Sequence, residues 1–514
     1  MDTPTITIGC GLVQGVDAVP VAVEATTRHA SDGTPRLLGL VDACVREAYH
    51  RVLQAFFALG LPQPRGITTV NFAPAALRKQ GSGFDLPLAL ALAGAGGLFA
   101  PERTRDLFAF GEVSLRGHVL PARGAVSVAL AARAAGARGL LCSPQDAALC
   151  QVIEGLPVHA TTTLADAIHW LAGHRDLPPV PAIPPPQGAA VPDLADLRGL
   201  ASAKRALAVA AAGGHNLLFV GPPGTGKSAL LRRLPGLLPP PSPTERLEIL
   251  QTHAAAGLCL PGADARPFRA PHHTSSTVSL LGGGTEVRPG EITLAHRGVL
   301  FLDELPEFRR DALEALRQPL EDGTVTVGRA LRTVTMPARL LLVAAMNPCP
   351  CGYVGHRQRP CRCTPAAVSR YRSRLSGPLL DRIDLRAEIP ALDPAELRGP
   401  PEPGGGTEHW RQRVLAARSR QLHRRRAHRS DTDLGNARLD GDALLRACDA
   451  AEGTLRLLDE VLRRRHETGR GRVRLLRLAR TLADLDDRPA VEDVDVFEAA
   501  ALRGREDRTF AATP

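Results

Sequence analysis

The residues best able to do chemistry lie in one short run, Gly221-Pro222-Pro223-Gly224-Thr225-Gly226-Lys227-Ser228. The run fits G-x-x-x-x-G-K-[ST], follows the apolar segment Leu217 to Val220 and precedes helix-compatible residues. Its glycines let backbone N–H groups turn inward around phosphate oxygens. Lys227 then neutralises β and γ phosphates, and the Ser228 hydroxyl ligates Mg²⁺, so ATP with Mg²⁺ is the expected ligand. A second run, Gly298-Val299-Leu300-Phe301-Leu302-Asp303-Glu304, is an apolar strand ending in two acids. Such a strand brings Asp303 to the Mg²⁺ and Glu304 to the attacking water. The apolar segment Leu340 to Ala345 ends at Met346-Asn347, an amide that sheet order would set beside the γ-phosphate but that is more often a plain turn residue at a strand end.

Four cysteines crowd into one loop as Cys349-Pro-Cys351 and Cys361-Arg-Cys363. Thiolates at that spacing suit tetrahedral Zn²⁺, which folds a loop too short to have its own core, with reduced thiols free of metal as the alternative. His356 could replace one thiol. Four protein ligands leave no open position, so the zinc is expected to be structural. The remaining cysteines, Cys10, Cys44, Cys142, Cys150, Cys259 and Cys448, are scattered as reduced thiols are. The segment Arg266 to Gly284 holds Arg266, Arg269, the pair His272 and His273, several hydroxyls and three successive glycines. It reads as a polar surface loop. Phe268 is its only aromatic residue for base stacking, so sequence-specific readout is not indicated. The runs Arg424 to Arg426 and Arg463 to Arg465 read first as solvated helical faces and second as nucleic-acid contacts.

These groups need an α/β frame. Strand candidates Asn216 to Val220, Gly298 to Leu302 and Arg339 to Ala345, alternating with helices, predict a parallel sheet over 193–398. Upstream, a strand at Ile67 to Phe72 and helices at Asp85 to Gly97 and Ala125 to Gly136 predict a mixed α/β domain over 1–175. The proline-rich stretch Asp176 to Pro192 reads as a linker over 176–192. A second break, Gly399 to Gly406, precedes 399–514, where heptad-like spacing in Leu455 to Leu462 and Val473 to Leu485 predicts a helical bundle or lid. The chain of 514 residues is long enough for two or three domains, and its 44% apolar content includes no run able to cross a membrane. The N-terminus lacks the pattern of a secretory signal, so a cytoplasmic protein is expected. The formal charge of +10 permits a polyanionic partner, although an arginine-rich composition reaches it through codon bias as well.

Five segments together resemble one family. RPFRAPHHTSS (Arg266 to Ser276), RPGEITLAHRGVLFLDELPEF (Arg288 to Phe308), ALRQPLEDG (Ala315 to Gly323), AAMNPCPCG (Ala344 to Gly352) and SGPLLDRIDL (Ser376 to Leu385) look like the magnesium chelatase-like AAA+ proteins called ComM or YifB. The resemblance implies that Asn347 is the sensor-1 residue and that Arg382 is an arginine finger acting on a neighbouring subunit's ATP. It implies a homo-oligomeric ring, a hexamer for this family, with Arg470 at the sensor-2 position and Arg474 as the second choice. It sends the Arg266 to Gly284 loop into the ring pore, where Arg266, Arg269, His272 and His273 would meet DNA phosphates. Two departures stand out: Gly199-Leu200 where the family usually has Gly-Gln, and Glu467-Thr-Gly-Arg470-Gly where it usually has Leu-Ser-Ala-Arg-Ala. The segments Lys79 to Pro87 and Gly111 to Gly124 resemble the Lon-protease-like domain, an S5-type α/β fold. Aligned with it, Asp85 stands where the nucleophile belongs and Val126 where its lysine belongs, so peptidase chemistry is not expected, although Ser82 and Lys79 lie nearby. The fold class implied is therefore α/β, with a degenerate Lon-like domain, a central AAA+ P-loop domain with a zinc-binding insert, and a C-terminal helical lid. The activity implied is an ATP-driven motor that migrates DNA branches during recombination of incoming DNA. A protein-remodelling or metal-chelatase motor subunit is the alternative, and a nucleotide switch fits less well with a full hydrolytic set.

Overall fold

The computed structural model describes residues 5–28, 36–63, 66–182, 191–258, 265–284, 287–329, 332–356, 358–391, 404–427, 435–467 and 469–504. The N-terminal lobe is built on β1 (Ile6–Gln14), β2 (Asp17–Arg28), β3 (Arg36–Leu38), β4 (Ile67–Ala73) and β5 (Leu107–Phe110). A small hairpin, β6 (Glu112–Val113) and β7 (Val119–Leu120), is followed by β8 (Gly139–Cys142) and β9 (Val158–Ala160). The main sheet runs β3-β4-β2-β1-β5-β8-β9, antiparallel around β2 and parallel beyond β1. In β2 the even alternation of buried Val21, Val23 and Ala25 with less buried neighbours shows one face turned to the core. The helix Asp85–Ala95 is buried on nearly every side because its LALALA run carries no polar stripe. It and the helix Ala125–Ala134 appear where the sequence predicts them, each ending two residues earlier.

The central lobe contains β10 (Leu217–Val220), β11 (Phe268–Arg269), the hairpin β12 (Gly282–Gly283) with β13 (Arg288–Pro289), and β14 (Val299–Leu302). The hairpin β15 (Thr324–Arg329) with β16 (Arg332–Pro337) precedes β17 (Leu341–Met346) and β18 (Leu385–Glu388). Five of these strands form a parallel sheet in the order β11-β14-β17-β10-β18. Every residue of β10, β14 and β17 is buried, as expected of parallel strands covered on both faces, and this explains their unbroken Leu, Val, Ala and Phe composition. The stretch Arg266 to Gly284 is not a plain loop. It supplies edge strand β11, the short helix Thr277–Leu281 and β12.

Helices Thr407–Ala427, Gly441–Cys448, Glu452–Arg464, Gly469–Leu485 and Asp493–Leu502 close the chain. Leu475, Leu478 and Leu482 share one hydrophobic core with Leu207, Val209 and Leu230 of the central lobe. That junction contains a buried polar knot: Arg480 and Asp484 are both fully buried and paired at 2.9 Å, and Arg424 reaches the same carboxylate with two bonds of 2.6 Å. Arg424 is thus an internal residue. In the run Arg463 to Arg465, Arg463 and Arg464 lie on an exposed face as the sequence predicts. The helix Pro243–Ala256 joins the lobes, because Leu250 and Ala254 belong to the N-terminal core and Gln251 donates to the Val16 carbonyl at 2.9 Å. Residues 183–190 of the proline-rich stretch and 399–403 of the second break lie outside the described residues, while Leu177 and Val180 pack on the N-terminal core. No helix among the described residues is long and apolar enough to cross a membrane.

Candidate active site and metal centre

Parallel pairing brings the chemical runs to one sheet edge. Val220 pairs with Met346 and Leu302 with Ala344, so the phosphate-loop run, Asn347 and Asp303 all leave the same ends of adjacent strands. Gly224 and Gly226 take φ of 78° and 82°, left-handed values that a side chain resists and that turn backbone N–H groups inward. A Cβ on Gly221 would stand 2.3 Å from the Ile389 carbonyl oxygen, so the strand exit also requires glycine. The Thr225 hydroxyl donates to the Pro222 carbonyl at 2.9 Å and braces the turn. Lys227 Nζ donates to the Gly221 and Pro222 carbonyls at 2.7 Å each and to Asn347 Oδ1 at 3.3 Å. Burial lowers the Lys227 ammonium to about 8, against the opposing pull of the Asp303 carboxylate. Phosphate oxygens would oppose that burial effect, so the loop fits a nucleotide polyphosphate. Ser228 and Asp303 are both partly exposed. Glu304 is over half exposed, at 55% for its side chain, and sits at φ 53°, a strained value for a non-glycine residue.

Arg382 lies elsewhere. It precedes β18, whose Leu385 pairs with Leu217 while Glu388 pairs with Val220. Arg382 is therefore at the end of the sheet opposite the phosphate loop, about 13 Å away along a four-residue strand. Its guanidinium pairs with Glu321 and donates to the Pro378 carbonyl at 2.7 Å. Arg382 and, more weakly, Arg470 and Arg317 hold the Glu321 carboxyl below its usual range. Arg474 is near it, paired with Asp381 at 3.4 Å. Sequence reading overlooked Asn216, which fixes this end. Its amide donates to the Arg382 carbonyl at 2.8 Å and accepts from Leu342 N–H at 2.9 Å. An amide opening an otherwise apolar strand was the available signal.

Four sulfur atoms, from Cys349, Cys351, Cys361 and Cys363, lie within 4.8 Å of one another. Three of their separations are 3.4, 3.5 and 3.7 Å. Sulfurs around a tetrahedral Zn²⁺ at about 2.3 Å stand about 3.8 Å apart, so the donor set fits such an ion. The Arg362 N–H and then the Tyr353 N–H lower the Cys351 thiol to about 6, favouring the thiolate a metal needs. His356 is not needed as a substitute, since its Nδ1 accepts from the Gln358 and Arg359 N–H groups at 3.1 Å. The cluster abuts the nucleotide site: a Cβ on Gly352 would stand 2.6 Å from Pro223 of the phosphate loop.

Arg266 and Arg269, expected on DNA, are committed to internal pairs instead. Arg266 donates to Glu245 at 2.7 Å and to the Pro239 and Arg297 carbonyls, and Arg269 grips both oxygens of Glu291 at 2.6 and 2.7 Å. His272, Thr274, Ser276 and Ser279 are exposed polar groups of that segment, with His273 partly covered. In the N-terminal lobe, Ser82 lines a cavity between the lobes, but Lys79 turns away from it and donates to the Phe72 carbonyl at 2.6 Å.

The family model for magnesium chelatase, subunit ChlI, matches residues 193–397. Models for subunit ChlI of Mg-chelatase and for its C-terminal region match residues 23–146 and 404–503. The chain is 39% identical over 499 residues to the uncharacterized protein YifB of Salmonella typhimurium, covering 95% of each chain. It is 38% identical over 499 residues to the competence protein ComM of Haemophilus influenzae, again covering 95% of each. A shorter likeness, 30% identity over 136 residues, relates 26% of this chain to 16% of the DNA replication licensing factor mcm5-A of Xenopus laevis. Matched along nearly its whole length, the chain belongs to the ComM/YifB family of magnesium chelatase-like AAA+ proteins.

Proposed function

We propose that this protein is an ATP-hydrolysing ring motor that acts on DNA, migrating branches as incoming strands recombine during natural transformation. The carrying observation is that Arg382 and the phosphate loop occupy opposite ends of paired strands β10 and β18. An arginine so far from its own nucleotide serves a nucleotide held by the next subunit, and repetition of that contact around an axis closes a ring. A hexamer is the expected closure. Arg470 takes the sensor-2 role that the family resemblance implies. Within one subunit, Lys227 and Asn347 hold the γ-phosphate, Ser228 and Asp303 the Mg²⁺, and Glu304 orients water. The competence name of one relative and the replication name of another favour DNA as the substrate. The four cysteines hold a structural Zn²⁺ that stiffens the loop behind Asn347. The N-terminal lobe is a Lon-like fold without peptidase chemistry, the last helices form the lid, and the work is done in the cytoplasm.

Hydrolysis measured alone and with single-stranded, duplex and four-way-junction DNA tests the substrate. Strong junction stimulation supports the proposal; stimulation only by protein or porphyrin substrates favours a remodelling or chelatase motor. The ring is tested by mixing. Arg382→Ala and Lys227→Ala are each inactive, and mixed particles regain activity because some interfaces combine an intact loop with an intact arginine. Dead mixtures in confirmed mixed rings would remove Arg382 from the interface role.

A further inference from the structure

His215 stands just ahead of the phosphate loop in sequence, between the helix Ala201–Gly213 and β10. Its imidazole nevertheless meets Asp384, next to the start of β18, and Thr481, in the helix Gly469–Leu485. The ring is fully buried, and its Nε2 lies 2.8 Å from Thr481 Oγ1. The Thr481 hydroxyl spends its one proton on the Arg477 carbonyl at 2.9 Å, so it accepts from Nε2 as it does from the Asn436 amide at 3.2 Å. Asn436 also donates to Asp484 at 2.8 Å, which joins the histidine to the buried knot of Arg480 and Arg424. A Cβ on Gly213 would stand 2.1 Å from the His215 ring and 2.8 Å from Thr481 Oγ1, so the helix ends in glycine where the ring must pass.

On the other side of the ring, Nδ1 lies 3.7 Å from Asp384 Oδ2 and has no hydrogen-bond partner. Asp384 follows Arg382 and Ile383. Its Oδ2 accepts the Asn216 N–H at 3.1 Å, the Asn216 carbonyl accepts from the Asp384 and Leu385 N–H groups at 3.1 and 2.9 Å, and the Asn216 amide holds the Arg382 carbonyl. The segment Arg382 to Leu385 is thus seated on His215 and Asn216, and the imidazole links that seat to the helical core. A buried ring nitrogen without a hydrogen bond costs stability, and an apolar side chain would fill the space without that cost. The polar ring is explained by the two groups it spans.

We infer that His215 is a positioning residue for the arginine finger, bracing the segment from Arg382 to Asp384 against the last helices so that Arg382 meets the neighbouring subunit's nucleotide in a fixed place. The inference rests on the reading of Arg382 as a finger that acts across the interface. It assigns to the finger a residue whose place in the sequence suggests the loop, although the loop leaves the opposite end of β10.

ATP affinity, steady-state hydrolysis and subunit mixing with the full chain test it. His215→Ala lowers kcat about tenfold, a fraction of what an arginine finger contributes, while its affinity for ATP stays that of the wild type. Mixed with Lys227→Ala it regains activity, because that partner lends an intact arginine to an intact loop. Mixed with Arg382→Ala it stays low, since neither subunit then supplies a well-placed arginine. A merely structural role would not sort the two mixtures in this way. Thr481→Val keeps the bulk but removes the brace and gives the same pattern with a smaller loss, whereas Thr481→Ser restores kcat; this pair reads the brace if His215→Ala fails to fold. Unaltered kcat in His215→Ala and Thr481→Val, weaker ATP binding, or rescue by Arg382→Ala instead of Lys227→Ala overturns the inference. The control mixture of Arg382→Ala with Lys227→Ala separates the two readings. Dead control mixtures in confirmed mixed rings remove the finger and the brace together, whereas a control that recovers beside the wrong pattern for His215→Ala removes only the role of His215.

Discussion

The N-terminal and central lobes each place a lysine and an aspartate inside an α/β frame, and they use them in opposite ways. In the N-terminal lobe Asp85 is fully buried, both its oxygens are taken by Arg51 at 2.9 and 3.1 Å, and it also accepts from the Val113 N–H at 3.2 Å. Lys79 is fully buried and satisfied by the Phe72 and Pro74 carbonyls. In the central lobe Lys227 also binds carbonyls, but it does so beside left-handed glycines, a strand-end amide and two partly open carboxylates. A buried lysine is therefore not the mark of a site. The mark is the convergence of several strand ends whose polar groups retain capacity for a ligand.

The sharpest test of this contrast compares the two lysines. Lys227→Ala should weaken ATP binding roughly 1,000-fold, since it removes the charge-assisted contacts to two phosphates. Lys79→Ala should leave ATP affinity unchanged while lowering the unfolding temperature, because two carbonyls lose their donor. Nucleotide titration and calorimetry read both, and weaker ATP binding in Lys79→Ala would end the contrast. Next in size is Asp85→Ala, which strands the Arg51 charge and should cost about 3 kcal/mol of N-terminal stability. Hydrolysis per folded molecule should persist; its loss would mean that the N-terminal lobe takes part in the ATP cycle.

A smaller effect is expected from the paired change Cys361→Ser and Cys363→Ser. Elemental analysis should show about one zinc per subunit in the native chain and none in the variant. Hydrolysis should fall several-fold, because the freed loop borders both Pro223 and Asn347. Metal-free native protein with full activity would refute the metal centre. The smallest effect concerns Asp146, whose carboxyl is raised to about 6 chiefly by burial, against bonds from the Ala122 N–H and the Ser143 hydroxyl. Its folded state holds a proton that the unfolded chain releases near pH 4, so its contribution to stability falls as pH rises from about 4 to about 6. Denaturant titrations across that window should show the slope, and Asp146→Asn should flatten it.

The central site was legible because its parts are local. The phosphate-loop run, the acidic strand end and the cysteine cluster each occupy a few consecutive residues, and parallel strand runs dictate that their ends meet. What escaped the sequence are partners brought together over distance. Arg51 meets Asp85 across 34 residues, Arg266 meets Glu245 across 21, and Arg424 meets Asp484 across 60. Nothing local distinguishes an arginine destined for such a pair from one facing solvent. Edge strand β11 escaped for a related reason: its two residues pair only with Val299 and Leu300, so their extended form is imposed by the sheet.

The position of Arg382 at the far end of β18 also sets how activity should scale with concentration. If each completed site needs a loop from one subunit and an arginine from the next, an isolated subunit has none. An open row of subunits then always has one fewer site than members, and only closure completes the last. Turnover per subunit should therefore rise steeply with protein concentration and collapse on dilution, following mass action for assembly even when ATP is saturating. On the proposed ring, specific activity becomes a direct gauge of how much of the protein is closed.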